Sequence, residues 1–199
     1  GADGVRLRQC IACELDNVGA YECVGHGLEM GLGVNSWSDP TPNAYPSNAN
    51  IITNCYFSRN DGAGIQLNPG CNGNIIRDTV CEYNYLTAGD NQGYNIDLLN
   101  TGSYMPNELD NIWTEGPCKC HIHSASCTSR IMRWHHFGGS AAGNVDRALI
   151  LDAGAVIVEN AYGHGGSYKS IGGSIAPFRV NKAAGAVINL IEPRGSTIP

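Results

Sequence analysis

Apolar residues recur in this chain two positions apart over three to five residues, then the pattern breaks and starts again. "HGLEM" at 26–30, "AGIQL" at 63–67 and "YNIDL" at 94–98 each end in apolar, polar, apolar. A two-residue period belongs to a strand. Leu28, Ile65 and Ile96 are therefore predicted to face one way, and Glu29, Gln66 and Asp97 the other.

The stretches that precede these strands resemble one another. "NIITNCYFSRN" from Asn50, "NIIRDTVCEYN" from Asn74 and "NIWTEGPCKCH" from Asn111 share a skeleton at intervals of 24 and 37 residues, and "VRLRQCIACEL" from Val5 is a looser copy. Apolar or small residues fall at positions six and eight (Cys55 and Phe57, Thr79 and Cys81, Gly116 and Cys118). Position five (Gln9, Asn54, Asp78, Glu115) interrupts the alternation, and Asn there takes a left-handed bend at low cost. Asn60 and Asn84, with Asn50 and Asn74, are expected to stack as amide ladders along the bends.

A unit of two or three short strands cannot bury its own apolar face, but stacked copies can, so such a period predicts a solenoid. The expected fold is all-β: a right-handed, single-stranded parallel β-helix with rungs about 4.8 Å apart. A β-sandwich or jelly roll also has many short strands but does not predict in-register copies. Residues 1–144 are read as rungs with loops inserted at 31–49 and 99–107. From 145 to 199 the text shifts to long apolar runs, "ALILDAGAVIVENA" and "AAGAVINLIEP". These are expected to be closing rungs or a capping and oligomerisation segment, because an open solenoid end exposes unpaired backbone. A homotrimer would cover such ends.

Composition sharpens this picture. Among 199 residues only 15% are charged and 26 are glycine, the signature of strands joined by tight turns. The net charge of −6 argues against nucleic acid or an anionic membrane surface as partner. No apolar run is long enough for a membrane-spanning helix, so membrane insertion is not expected. Nine cysteines, an odd number, fit packed free thiols formed in a reducing cytoplasm better than a disulfide scaffold. The start at Gly1, without Met, leads to the expectation of a piece excised from a longer protein.

Candidate chemistry follows from the predicted columns. If 26–30, 63–67 and 94–98 are consecutive rungs, Glu29 and Asp97 lie two steps apart, about 9.6 Å. Inverting glycosidases hold an acid and a base about 6.5–9.5 Å apart. Glu29 and Asp97 are thus the first catalytic candidates, with Gln66 between them and Trp37, Tyr45 and Tyr104 as loop platforms for sugar rings. Asp78 and Glu115, sharing position five, would stack about 4.8 Å apart. That is close to the spacing of a retaining pair. "CKCHIHSASC" holds thiols and imidazoles but lacks the two-residue spacer of structural zinc sites, so neither a metal nor another cofactor is expected.

The run "NIITNCYFSRNDGAGIQL" at 50–67 resembles the repeat of pectate-lyase-like right-handed β-helices. That superfamily includes polysaccharide lyases, polygalacturonase-type hydrolases and bacteriophage tailspikes. The resemblance covers about residues 5–122 and speaks to packing rather than chemistry. "GHG" at 25–27 and 163–165 lacks the upstream aspartates of polygalacturonases, and the lyase-type Arg and Asp set is missing, so no catalytic residue carries over. With its free cysteines and terminal segment the chain looks most like a tailspike or tail appendage. That likeness implies a virion protein made in the host cytoplasm, partnered by other tail proteins, that binds and can cleave bacterial surface polysaccharide. A free extracellular lyase, hydrolase or epimerase is the alternative, and a non-catalytic rung stack a third reading.

Overall fold

The computed structural model describes residues 2–31, 46–85, 93–99, 105–116, 118–125, 127–137, 145–164, 180–191 and 194–195. Its strands form three faces of one coil. Face A stacks Val5–Leu7, Leu28–Met30, Ile65–Leu67, Tyr94–Leu99, Cys118–Ala125, Val145–Leu151 and Val180–Lys182, in that order. Face B runs from Glu14–Asp16 through Ile51–Thr53 and the first halves of Ile75–Glu82 and Asn107–Glu115 to Cys127–Met132, Gly154–Glu159 and Val187–Ile191. Face C runs from Gly19–Tyr21 through Tyr56–Ser58 and the second halves of the same two long strands to His135–Phe137, Tyr162–His164 and Arg194–Gly195. Every described strand pair is parallel, and sequence neighbours lie on different faces while pairing joins successive turns. That is a parallel β-helix, and a sandwich is excluded.

Registers explain why the sequence repeats. Leu28, Ile65, Ile96, Ile122 and Leu149 lie opposite one another up the inside of face A, all fully buried. Ile52, Ile76, Leu109, Ile131 and Val158 do the same under face B, and Phe57 meets Cys81 under face C. Each such side chain supplies roughly 1.5–3 kcal/mol of burial, so a rung without its neighbours loses most of its stability. The eight cysteines with described side chains are free thiols.

The bend between faces B and C is a column of left-handed residues: Asn17, Asn54, Asp78, Asn111, Arg133 and Asn160, with φ between 48° and 55°. Asn and Asp tolerate this conformation because a short polar side chain makes local hydrogen bonds. Asn54 donates to Asp16 (2.9 Å) and Asn111 to Asp78 (2.7 Å). Two of the sequence alignments shift here. Asn107, not Asn111, begins the rung above Asn74, so the interval is 33 residues; Glu14 lies opposite Ile51, so the rung below starts near Cys13 rather than at Val5. Val5–Leu7 belongs to face A.

Both amide ladders form. Asn50 donates to Asn74 (3.0 Å) and Asn74 to Asn107 (3.1 Å). Asn60 donates to Asn84 (2.9 Å), Asn84 to Asn95 (3.0 Å), and Asn95 to Nδ1 of His121 (3.1 Å). All of these residues are fully buried. The ladders satisfy backbone groups at the bends, as where the Asn60 N–H donates to Asn84 Oδ1 (3.2 Å). Residues 145–164, 180–191 and 194–195 continue the same three faces as further rungs.

Candidate functional site on face A

The outward column of face A carries Arg6, Glu29, Gln66, Asp97, His123 and Ile150 on consecutive turns. The structure therefore brings Glu29, Gln66 and Asp97 into one line, as the strand alternation predicts. Trp37, Tyr45 and Tyr104, the expected loop platforms, lie outside the described residues.

Glu29 is only 6% exposed. Its Oε2 sits 2.5 Å from Arg6 Nε, and its Oε1 accepts from Asn68 Nδ2 at 2.9 Å. Gln66 Nε2 donates to Asn68 Oδ1 (3.0 Å), linking the central amide to the same cluster. Arg6 also bridges to Asp3, which accepts from the His26 N–H. Burial works to raise the Asp3 carboxyl, but the His26 amide and the Arg6 guanidinium prevail and hold it below its ordinary value.

Asp97 and His123 form the other half. His123 Nδ1 lies 2.8 Å from Asp97 Oδ1, and its Nε2 lies 2.9 Å from Asp152 Oδ2. Burial disfavours the imidazolium, yet hydrogen bonds and charge from both carboxylates outweigh it, so His123 is pushed above its ordinary value. Tyr94 stacks flat on the imidazole (centroids 4.3 Å apart, planes at 20°), and Lys119 Nζ reaches the Tyr94 hydroxyl at 3.5 Å. Tyr85 packs edge-on to Tyr94, and its phenol is pushed up to about 12 by burial, then by the charge of Asp97. Chemically the arrangement offers an imidazole held between two carboxylates that favour its protonated form, and beside it a row of amide and carboxylate groups able to hold hydroxyls.

His123 was hidden in "CKCHIHSASC". The signal that reveals it is "HIHS" at 121–124 as a further copy of "GIQL" and "NIDL", with Ile122 opposite Ile96. Asp152 and Asn68 follow face A strands and had no repeat signature. The strand's histidines also divide differently from a simple alternation. His121 turns inward at the end of the amide ladder, fully buried, with Cys118 Sγ 3.5 Å from its Nδ1. Burial drives its imidazole down to about 3, against a backbone hydrogen bond at Phe137, so it is neutral. Among the described residues no group of three or more His, Cys, Asp or Glu is placed to hold a metal ion.

The pairing of Asp78 with Glu115 loses its geometric basis. Asp78 occupies the bend beside Asn111, while Glu115 lies opposite Glu82, four residues further along the rung and hence about 13 Å away. Likewise Cys118 leaves the face C ladder, where Thr114 stands above Cys81.

No family model and no curated protein matches the sequence. Among solved structures, pectate lyase Pel9A aligns with a TM-score of 0.40 and 12% identity, covering 90% of this chain and 52% of that one. The chain thus spans about half the length of that lyase.

Proposed function

We propose that face A binds a polysaccharide along the column from Glu29 through Gln66 and Asp97 to His123. The carrying observation is that these four hydrogen-bonding side chains stand in unbroken register on successive turns. Three steps of about 4.8 Å give a line of roughly 14 Å, the kind of extended, repetitive array that suits a repetitive polymer. Stacked Tyr94 and the Lys119 ammonium flank it. In the finer form of this reading the chain is a module of a bacteriophage tail spike that engages bacterial surface polysaccharide, alongside other tail proteins and as a homotrimer. Free cysteines and the resemblance of the repeat support that form.

Cleavage, where it occurs, assigns His123 as the proton donor, because its position between Asp97 and Asp152 favours the protonated form. Glu29 and Asp97, two turns apart, are the flanking carboxylates. A second reading has its own observation: Glu29 is already matched by Arg6 and Asn68, and Asp97 and Asp152 by His123. Such self-pairing suits a purely structural face.

Calorimetry against a panel of capsular and lipopolysaccharide-derived oligosaccharides separates the two. Gln66→Leu, which strands no charge, is expected to weaken binding about tenfold, the loss of roughly one hydrogen bond to a polar group. Glu29→Gln and Asp97→Asn are expected to slow any release of reducing ends or of unsaturated product absorbing in the near ultraviolet. A panel that yields no ligand leaves the structural reading standing.

A further inference from the structure

Face C holds a second array that the function above does not use. Its outward positions on successive turns are Tyr56, Val80, Trp113, His135 and Tyr162, each opposite the next. Below them Tyr21 lies against Gly19 and packs on Tyr56, ring centroids 5.3 Å apart. Above, Trp113 stacks on His135 (5.8 Å, planes at 15°) and His135 on Tyr162 (4.9 Å, 19°). The rings stand nearly face to face along the solenoid axis, because one turn advances by a distance close to that of an offset aromatic stack.

Val80 is the one non-aromatic residue between Tyr56 and Tyr162 in this column. Where it stands, a depression of about 320 Å³ opens, lined by Asp78, Thr79, Val80, Asn111, Trp113 and His135. That volume sits at the small end of ligand sites and suits one ring rather than a chain. Tyr56 and Trp113 are two turns apart, about 9.6 Å, which leaves room for one flat group at the stacking interval. The rim is polar. Asp78 is exposed at a left-handed bend, and Asn111 Nδ2 donates to its Oδ1 at 2.7 Å, so that Asp78 Oδ2 and Asn111 Oδ1 present acceptors to hydroxyl donors.

We propose that this depression is a binding site for a single neutral pyranose ring, which completes the column at the level of Val80. One face of the sugar lies along Trp113, and its hydroxyls bond Asp78 and Asn111. Among the described lining residues Asp78 is the only carboxylate, and it disfavours an acidic sugar; Arg133, next in the bend column, is engaged by Asp110 (2.6 Å). The site lies on a different face from the Glu29–His123 column and stands independently of that reading.

The test is titration of the isotope-labelled chain with methyl glycosides of glucose, galactose, mannose and N-acetylglucosamine, to about 50 mM. That is far above the millimolar affinity one ring's contact supports. Methyl galacturonide serves as the acidic comparison. Expected are saturable shifts of the Trp113 indole N–H and of the Asp78 and Asn111 amides by at least one neutral glycoside, and none with the galacturonide. Val80→Phe, which supplies the missing ring and keeps a strand-forming residue, is expected to weaken binding at least about tenfold with the amide spectrum otherwise native. Asp78→Asn keeps the bend and is expected to admit the galacturonide. Absence of shifts from every neutral probe, binding that survives Val80→Phe, equal binding of the galacturonide by the native chain, or shifts confined to Gln66, Asp97 and His123 would each overturn the site.

Discussion

Asn84 is the residue through which the interior ladder reaches face A, and its loss is calculable. Its Oδ1 accepts from both the backbone N–H (3.2 Å) and the Nδ2 (2.9 Å) of Asn60; its Nδ2 donates to the Phe57 carbonyl (3.2 Å) and to Asn95 Oδ1 (3.0 Å). Asn84→Ala strands two of these fully, the Asn60 N–H and Asn95 Oδ1, because Asn60 Nδ2 keeps its bond to the Ala20 carbonyl (3.4 Å). Every ladder residue is fully buried, so no solvent compensates. At roughly 1–3 kcal/mol for each stranded buried group the cost is about 2–6 kcal/mol, a large part of the 5–15 kcal/mol that holds a domain together.

In a solenoid that cost is local to the affected turns and their neighbours. Urea denaturation should register it together with native-state amide exchange, faster at 56–60 and 94–98 than at 155–159. Asn54→Ala is the control: Asn54 is exposed, and it loses only a surface bond and some left-handed preference, about 1–2 kcal/mol. An Asn84→Ala penalty under about 1 kcal/mol, or one no larger than that of Asn54→Ala, would refute the claim that the ladder is a satisfied, water-free network.

Two further outcomes are expected. His121 and His123 carry opposite signs: burial lowers the first, so its contribution is present above 6.5 and lost as pH falls toward about 3, while the carboxylates raise the second, so its contribution is full below 6.5 and is lost as pH rises through the higher folded value. Stability by urea titration should therefore peak near the ordinary histidine value, with His123→Asn flattening the alkaline limb alone; an unchanged alkaline limb counts against the bridge. On the tail-spike reading, light scattering coupled to size exclusion gives three times 21.1 kDa, and a stable monomer of 21.1 kDa removes that form of the proposal.

The architecture was legible because packing in a parallel stack writes itself into sequence. Leu28, Ile65 and Ile96 recur for the same reason that they touch, and the line from Glu29 to Asp97 followed from strand alternation alone. The register above Asn74 was not legible by the same route, since "NELDNIWTE" and "NIWTEGPCK" both begin with Asn and carry an apolar residue two positions on, and only the left-handed residue decides between them. Asn111 has φ of 51° and Glu115 belongs to an extended strand, so the bend, not the leading asparagine, marks the true copy. Strict alternation would put His121 beside His123 on the outer face, but it is fully buried at the end of the amide ladder, bonded by Asn95. Asp152 could not have been anticipated: it reaches His123 from the next turn, a contact set by coil closure rather than by any local pattern.

The charge order of the face A column follows from the same closure. Side chains on successive turns stand about 4.8 Å apart, where two like charges repel by roughly 1 kcal/mol in water and by about 3.5 kcal/mol in the surroundings of a protein surface. A column with carboxylates on adjacent turns therefore carries that repulsion unless a cation or a hydroxyl donor offsets it, as the Tyr56 and Tyr83 hydroxyls do at Glu82 and Glu115. Here the column runs Arg6, Glu29, Gln66, Asp97, His123: a neutral amide separates the two acids, with a guanidinium at one end and at the other an imidazole whose protonated form the carboxylates favour. Gln66 is neutral because it stands between two acids, and Arg6 and His123 close the row by matching them. On the proposed polysaccharide reading, the uncharged centre flanked by carboxylates favours a hydroxyl-bearing polymer segment over a negatively charged one at Gln66. The cationic groups Arg6 and Lys119 stand where an acidic substituent could be met, toward the ends of the row. The same spacing that forces the ladder into register thus sets the polarity that a ligand on this face would have to complement.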